Sequence, residues 1–175
     1  MCKPKNWYSD SRKAVKLHYG TDWRLFCKLL AATSPNCALS GNLTLAQKAY
    51  DIVKRGDDIS EARFVKAHRM QLTKILSGKP CGQKVSAFYQ NLIGNENAVT
   101  VDIWIARRYG LMKPKAISKR DYKYVADSIR MDADFAGVTP AQWQAMEWCK
   151  IRGDSTSFGD LLRRRGRQLN LGSEV

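Results

Sequence analysis

The chain has 175 residues, of which 44% are hydrophobic, and this is enough for one buried core or for two small lobes that share a cleft. A membrane helix needs about 18 consecutive apolar residues, and no run in this sequence is nearly that long. The N-terminal sequence MCKPKNWYSDSRK lacks the apolar stretch of a secretion signal. We therefore expect a cytoplasmic protein with no membrane partner.

The charge and the cysteine content narrow the class of protein further. A net charge of +14 and an isoelectric point near 9.8 favour a polyanionic partner, with nucleic acid first and a membrane surface second. The simpler alternative is that the charge only keeps the chain in solution. The five cysteines are an odd number with no C-x-x-C pair, which disfavours a disulfide framework, a zinc site and an iron–sulfur cluster. We expect no metal and no cofactor.

The predicted elements in the first half of the chain are all helices. Residues 1–20 carry spaced aromatic and aliphatic side chains before a glycine, and Thr21-Asp22 begins a second helix with a buried face. This helix ends at the polar segment 33–36, which either faces a ligand or simply connects two helices. A third helix is predicted over about 43–54, and a further helical region over 60–76.

The second half continues the helical pattern. A turn rich in Gly and Pro precedes a helix over about 83–93, and Asp102 begins the next helix after a polar loop. Further helix starts are predicted at Ser118 and at Thr139-Pro140, where the threonine is placed to cap the helix and the proline suits its first turn. Residues 154–175 form a basic C-terminal segment that either forms a last helix or frays.

These elements predict an all-α fold, because no segment shows a sustained alternation of apolar and polar residues. We expect one compact domain over residues 1–175, with helices around a central cleft. The alternative within this class is two small lobes, one of them a hairpin lobe over about 60–112.

Two neighbouring helix starts carry residues capable of chemistry. Gly82 precedes a helix start whose free N–H groups and dipole suit a phosphate, with Lys74, Lys79 and Lys84 beside it. The alternative is an ordinary connection between two helices. Lys84 lies in the first helical turn, where the helix dipole disfavours a positive charge. Nearby apolar side chains disfavour the charge as well. Both effects favour the neutral amine of Lys84, which is the nucleophilic form. Asp102 follows 18 positions later, and a carboxylate there serves as a helix cap, as a catalytic group, or as both.

The segment GQKVSAFYQNLIGNENAVTVDIW, which contains both residues, resembles the helix–hairpin–helix DNA glycosylase superfamily, whose members include endonuclease III and 8-oxoguanine glycosylase. That superfamily has a G-x-G-x-K hairpin, then a helix and a short loop, and then V-D before the next helix. The earlier segment LFCKLLAATSPNCALSGNLT is similar to the family's early helix and the polar loop that enters the DNA. The sequence differs from the pattern at Pro80, which has no N–H group, at Trp104, where a histidine is common, and in a short segment between Tyr50 and Gly78.

The resemblance implies a base-excision enzyme of DNA repair, in a compact and divergent form that would suit a bacteriophage. Such an enzyme acts on double-stranded DNA, from which it extrudes one base. We expect the protein to be a monomer. In the resemblance Lys84 is the nucleophile that forms a Schiff base, which adds AP lyase activity, and Asp102 supports the positive charge that develops on the sugar. The expected DNA-binding residues come from the hairpin, from the early polar loop and from an arginine pair that is a candidate backbone contact: Lys79, Cys81, Gly82, Gln83, Thr33, Ser34, Asn36, Arg107 and Arg108.

Two other functions fit the same residues. One is a non-catalytic DNA-binding protein that keeps the hairpin without the chemistry. The other is a phage enzyme that modifies an extruded base in the same pocket instead of removing it.

Overall fold

The computed structural model describes residues 3–112 and 116–171, with side chains described as far as residue 166. This part of the chain contains nine α-helices and no strand, so the all-α prediction is confirmed. None of these helices has the length and apolar character needed to cross a membrane. In chain order the helices are α1 (Trp7–Tyr19), α2 (Trp23–Ala32), α3 (Leu39–Arg55), α4 (Lys66–Leu76), α5 (Gln83–Ile93), α6 (Ile103–Arg108), α7 (Lys119–Phe135), α8 (Pro140–Arg152) and α9 (Phe158–Leu171).

Several helix ends follow local signals in the sequence. Gly20 ends α1 with φ of +52°, a conformation that a glycine adopts without strain. The Ser118 hydroxyl accepts the Asp121 N–H at 3.1 Å and caps α7. At the start of α8 the Thr139 side chain accepts the Gln142 N–H at 3.3 Å, and the Gln142 side chain accepts the Thr139 N–H at 3.1 Å. This reciprocal pair is a capping box, which satisfies two N–H groups that the helix itself leaves free.

Two helices begin at other residues than predicted. Helix α3 starts at Leu39, earlier than the predicted residue 43, and the Asn42 N–H already donates to the Ala38 carbonyl oxygen at 2.8 Å. Helix α4 starts at Lys66, so the prediction of a helix from residue 60 was wrong. Residues 59–63 form turns and bends instead, because the Asp58 carboxylate accepts the Ser60 N–H at 2.8 Å and Phe64 is buried in the core.

The buried apolar residues form two clusters. The first contains residues of α1 to α5 together with parts of α8 and α9, and the second contains residues of α6 and α7 with the segment around Val99 and Val101. Trp148 on α8 packs against both clusters. The hairpin helices α4 and α5 belong to the first cluster, and both pack on α2. Helix α6 belongs to the second cluster, so residues 60–112 are divided between the two clusters.

The basic C-terminal segment forms α9, which packs on α1. Phe158 is fully buried in the first cluster, and the Arg163 guanidinium donates to both oxygens of the Asp10 carboxylate at 3.1 and 3.0 Å. The Ser157 hydroxyl also donates to Asp10. These contacts fix the start of α9, while residues 172–175 lie outside the described part of the chain.

The capping box predicts a measurable stability loss. We expect Thr139→Ala to lower the free energy of unfolding by about 1 kcal/mol, because the variant leaves the Gln142 N–H without its partner. Urea unfolding followed by circular dichroism measures this difference.

Thr21→Ala is the matched control, since Thr21 is an exposed threonine outside this box, and it should change the free energy of unfolding by less than about 0.5 kcal/mol. Equal losses in the two variants would contradict the role of the capping box.

Candidate active site

A cleft of about 1050 Å³ lies between the two hydrophobic clusters. Its lining includes the loop 34–38 after α2, the start of α5 and the start of α6. The end of α8 and part of α9 also line the cleft, with Arg152 and Arg164 among the lining residues. Lys84 and Asp102 both line this cleft, as the spacing of the two helix starts predicts.

Lys84 is held at the cleft wall by its place in the first turn of α5. Its side chain is half-buried, and its Nζ donates to the carbonyl oxygen of Ser34 at 3.3 Å. Burial lowers the pKa of the Lys84 amine, while the negative charge of Asp102 and the nearby Cys37 partly oppose that shift. A lower pKa raises the fraction of neutral amine at neutral pH, and the neutral amine is the nucleophilic form.

Asp102 is held by two N–H donors. Its Oδ1 accepts the Ile105 N–H at 2.9 Å, which caps α6, and its Oδ2 accepts the indole N–H of Trp148 at 3.0 Å. Each carboxylate oxygen can accept more than one hydrogen bond, so both keep capacity for a ligand in the cleft. Asp102 and Lys84 make no direct ion pair with each other, which leaves the amine available for another partner.

This pair supplies two functions that act well together. A partly desolvated amine attacks an electrophilic carbon, and an oriented carboxylate accepts a proton or stabilises a developing positive charge. The arrangement therefore suits chemistry at a carbon that becomes cationic in the transition state.

The start of α5 offers backbone N–H groups to the cleft. Gly82 is the N-cap residue with an extended backbone, and no side chain caps this helix. Gly82 and Gln83 both line the cleft, whereas Lys79 is exposed and does not line it, and Cys81 is half-buried with its Sγ 3.9 Å from the Gln71 carbonyl oxygen. A phosphate group would therefore meet the first turn of the helix rather than the turn around Pro80.

The early polar loop divides into buried and accessible residues. Thr33 is 0% exposed, and its hydroxyl contacts the Leu29 carbonyl oxygen at 2.8 Å and the Asn42 side chain at 2.6 Å. The expectation that Thr33 contacts DNA is therefore corrected, because its hydroxyl is used inside the protein. Ser34 contributes its carbonyl oxygen to Lys84, and Asn36 is exposed at the cleft with φ of +54°, a conformation that asparagine tolerates better than most residues.

The two predicted arginines lie outside the cleft lining. Arg108 forms an ion pair with Glu147 at 2.8 Å, so part of its charge is used within the protein. Arg107 lies over the ring of Trp104, with 5.4 Å from its guanidinium carbon to the ring centroid. Trp104 itself lines the cleft and is 44% exposed, and Arg152 lies 5.4 Å from the same ring. The rim therefore combines an accessible aromatic face with two cations.

A second, smaller cavity of about 90 Å³, which we call the inner cavity, adjoins the cleft beside Lys84 and Asp102. Its lining includes residues that the sequence analysis did not select: Trp7, Tyr8, Asn42, Phe88, Gln144 and Trp148. These side chains come from helices far apart in the chain, and no local motif or spacing connects them. Within the described residues, no three His, Cys, Asp or Glu side chains lie together as metal ligands would.

Residues 2–155 match the model of a family of unknown function (DUF7178), and the chain belongs to that family. The match includes Lys84, Asp102 and every residue of the inner cavity, and it ends before α9. No curated protein and no solved structure matches the chain.

The burial of Lys84 predicts an unusual titration. We expect its amine to titrate below the ordinary lysine value of about 10.4, and we expect Asp102→Asn to lower its pKa further because a favourable negative charge is removed. Asparagine still caps a helix, so α6 should remain intact. Reductive ¹³C-methylation followed by NMR titration measures this, with Lys84→Met to assign the resonance.

The same shift has a consequence for stability. The unfolded chain binds the Lys84 proton more tightly than the folded chain, so the contribution of Lys84 to the free energy of unfolding should rise between the lowered pKa and about pH 10.4. The difference in the free energy of unfolding between wild type and Lys84→Met should shift in favour of the wild type over that pH range. It should stay constant at higher pH. A Lys84 amine that titrates with the exposed lysines would contradict the burial.

Proposed function

We propose that the protein is a DNA glycosylase with AP lyase activity that removes a modified or damaged base. The observation that carries the proposal is the half-buried amine of Lys84 in one cleft with the oriented carboxylate of Asp102. The resemblance of the two segments to helix–hairpin–helix DNA glycosylases supports the same assignment, and membership in the family of unknown function leaves it open.

In the proposed reaction the neutral Lys84 amine attacks C1′ of the extruded nucleotide. The bond between C1′ and the base breaks, and its electron pair leaves with the base, which takes up a proton. Asp102 stabilises the positive charge that develops at the sugar and accepts the proton that the Lys84 nitrogen loses. The lone pair of the Lys84 nitrogen then forms the C=N bond of a protonated imine with C1′, the bond between C1′ and O4′ breaks, and O4′ takes up the proton held by Asp102.

Strand cleavage follows from the imine. Loss of a proton from C2′ and cleavage of the bond between C3′ and its phosphate oxygen complete a β-elimination, in which the phosphate is the leaving group. Water then hydrolyses the imine and restores the Lys84 amine. Asp102 is held by the Ile105 and Trp148 N–H groups and lines the same cleft as Lys84, which supports the use of one cleft for both stages.

The charge distribution supports DNA as the substrate. The chain carries a net charge of +14, and Arg152 and Arg164 lie at the cleft with the uncapped start of α5. Phosphate groups bind to such helix starts and to arginine side chains without regard to sequence. A cleft of about 1050 Å³ is also large enough to receive a nucleotide that has left the helix.

Covalent trapping tests the lyase chemistry. Incubation with borohydride and a duplex that contains an abasic site should trap the wild-type protein on the DNA, because borohydride reduces the imine to a stable amine. Lys84→Met should abolish the adduct. Lys79→Met is the matched control, since Lys79 is an exposed lysine that does not line the cleft, and it should be trapped as well as wild type. Wild-type protein that is never trapped would contradict the proposal.

Duplex binding separates catalysis from simple association. We expect Arg164→Ala to weaken binding and to reduce the slope of log K against log salt by about 0.9, the value for one lost phosphate contact. Arg130→Ala is the control, because Arg130 is paired with Asp127 on α7 and does not line the cleft. Asp102→Asn should keep the affinity and slow trapping by about 10²-fold or more.

Salt-dependent binding with no trapping in any variant would instead identify the non-catalytic DNA-binding protein. Equal slopes for Arg164→Ala and wild type would contradict the placement of DNA in this cleft.

A further inference from the structure

Helix α7 carries a stripe of large apolar side chains on its outer side. Tyr124, Met131 and Phe135 are 59%, 74% and 97% exposed. They are separated by seven and four positions, so all three lie on one face of the helix, and Ser128 lies among them on the same face. Neighbouring exposed apolar side chains mark a contact surface, whereas single ones do not.

This stripe faces away from the core and from the cleft. The opposite side of α7 carries Val125 and Ile129, which are fully buried in the second hydrophobic cluster. Tyr122 is the residue of α7 that lines the cleft, and its hydroxyl donates to the Val99 carbonyl oxygen at 2.8 Å on that inner side. A partner bound to the stripe would therefore leave the cleft open.

The charge of α7 argues against a polyanionic partner at the stripe. The helix contains four basic and four acidic side chains, so its net charge is zero, although the whole chain carries +14. DNA and anionic lipid surfaces bind through an excess of positive charge, and this helix has none. A protein surface is the partner that suits it. The basic residues are Lys119, Arg120, Lys123 and Arg130, and the acidic residues are Asp121, Asp127, Asp132 and Asp134.

The charges beside the stripe are divided along the helix. Arg120 lies near its start and Asp134 near its end, about 21 Å apart along the axis, on the same flank of the stripe. Neither side chain has an ion-pair partner in the described part of the chain. Asp127, at the middle, is already paired with Lys123 and Arg130. Each end of the flank therefore presents a charge that a partner could match.

We propose that α7 is the contact surface between two copies of this chain, whose α7 helices pack antiparallel about a two-fold axis beside Ser128. A two-fold contact uses the same surface on both copies. In this arrangement Arg120 of each copy faces Asp134 of the other, and Tyr124 of each copy faces Met131 of the other. The small Ser128 side chain lets the helices approach at the axis. A parallel pair would instead place like charges together at both ends.

The contact is small, so the dimer is a weak one. Helix α7 has 17 residues and is about 25 Å long, and one helix against its copy buries less surface than a standard stable interface. We expect a dissociation constant between about 1 µM and 1 mM. The dimer replaces the monomer expected from the sequence, and it does not depend on the proposed glycosylase activity.

Sedimentation velocity of charge-reversal variants tests this arrangement. It is carried out at about 0.15 M salt, where the Debye length of about 8 Å screens the repulsion between two basic copies. We expect wild type to dimerise, and Arg120→Asp and Asp134→Arg should each weaken their own dimer about tenfold or more, because like charges then face each other. An equimolar mixture of the two variants should recover the dimer, since the flank of one is acidic at both ends and that of the other is basic at both ends.

The pair of variants controls for overall charge. Arg120→Asp lowers the net charge and Asp134→Arg raises it, so an effect of net charge alone would act in opposite directions in the two variants. Circular dichroism checks that both are folded.

Phe135→Ser tests the apolar part of the contact and should also weaken the dimer about tenfold or more. Leu17→Ser is the matched control, because Leu17 is 90% exposed on α1, and it should sediment as wild type does. Neither substitution should change the midpoint of urea unfolding, since both side chains lie at the surface.

Three results would overturn the proposal: wild type that stays monomeric up to about 1 mM, a dimer that the α7 variants leave unchanged, or a mixture that associates no better than the two single variants. A loss of duplex affinity in Phe135→Ser, with no change in sedimentation, would assign the stripe to DNA and overturn it as well. Sedimentation needs no DNA, so failure of the dimer and failure of the proposed function are distinguishable.

Discussion

The hydrogen bond between the Trp148 indole and Asp102 is the contact on which the cleft depends. The Trp148 ring packs against both hydrophobic clusters, and its N–H holds one oxygen of the carboxylate while the Ile105 N–H holds the other. Asp102 is therefore positioned by the junction of the clusters, and Lys84 by the first cluster alone. A shift of one cluster against the other would change the separation of amine and carboxylate, so the packing of one indole ring controls the geometry of the pair.

Local chemistry explains which parts of the fold the sequence predicts well. In the caps at Ser118 and Thr139 the two hydrogen-bonded residues are three positions apart, so the sequence alone predicts these caps. The same is true of Lys84 and Asp102, which each occupy the start of a helix and are joined by one helix and a loop. The start of α4 was predicted wrongly because the burial of Phe64, a tertiary effect, outweighs the helical pattern before it.

The inner cavity was beyond prediction for the opposite reason. Tyr8 and Gln144 are separated by 136 positions, and their hydrogen bond depends on the way α1 and α8 cross. Neither residue belongs to a motif, and an isolated tyrosine or glutamine in a helix gives no sign of what it contacts. Thr33 shows the converse error, since a hydroxyl in a polar loop looks accessible in the sequence but is turned inward and helps to orient Asn42.

Gly159 at the start of α9 has a consequence for tolerance to mutation. A Cβ atom at this position would overlap the Asp10 carboxylate, the group that also receives Ser157 and Arg163. A side chain there requires the Asp10 carboxylate to shift, and this would weaken its hydrogen bonds with Ser157 and Arg163. A single added carbon at this position, which does not line the cleft, would therefore act on the contact between α1 and α9.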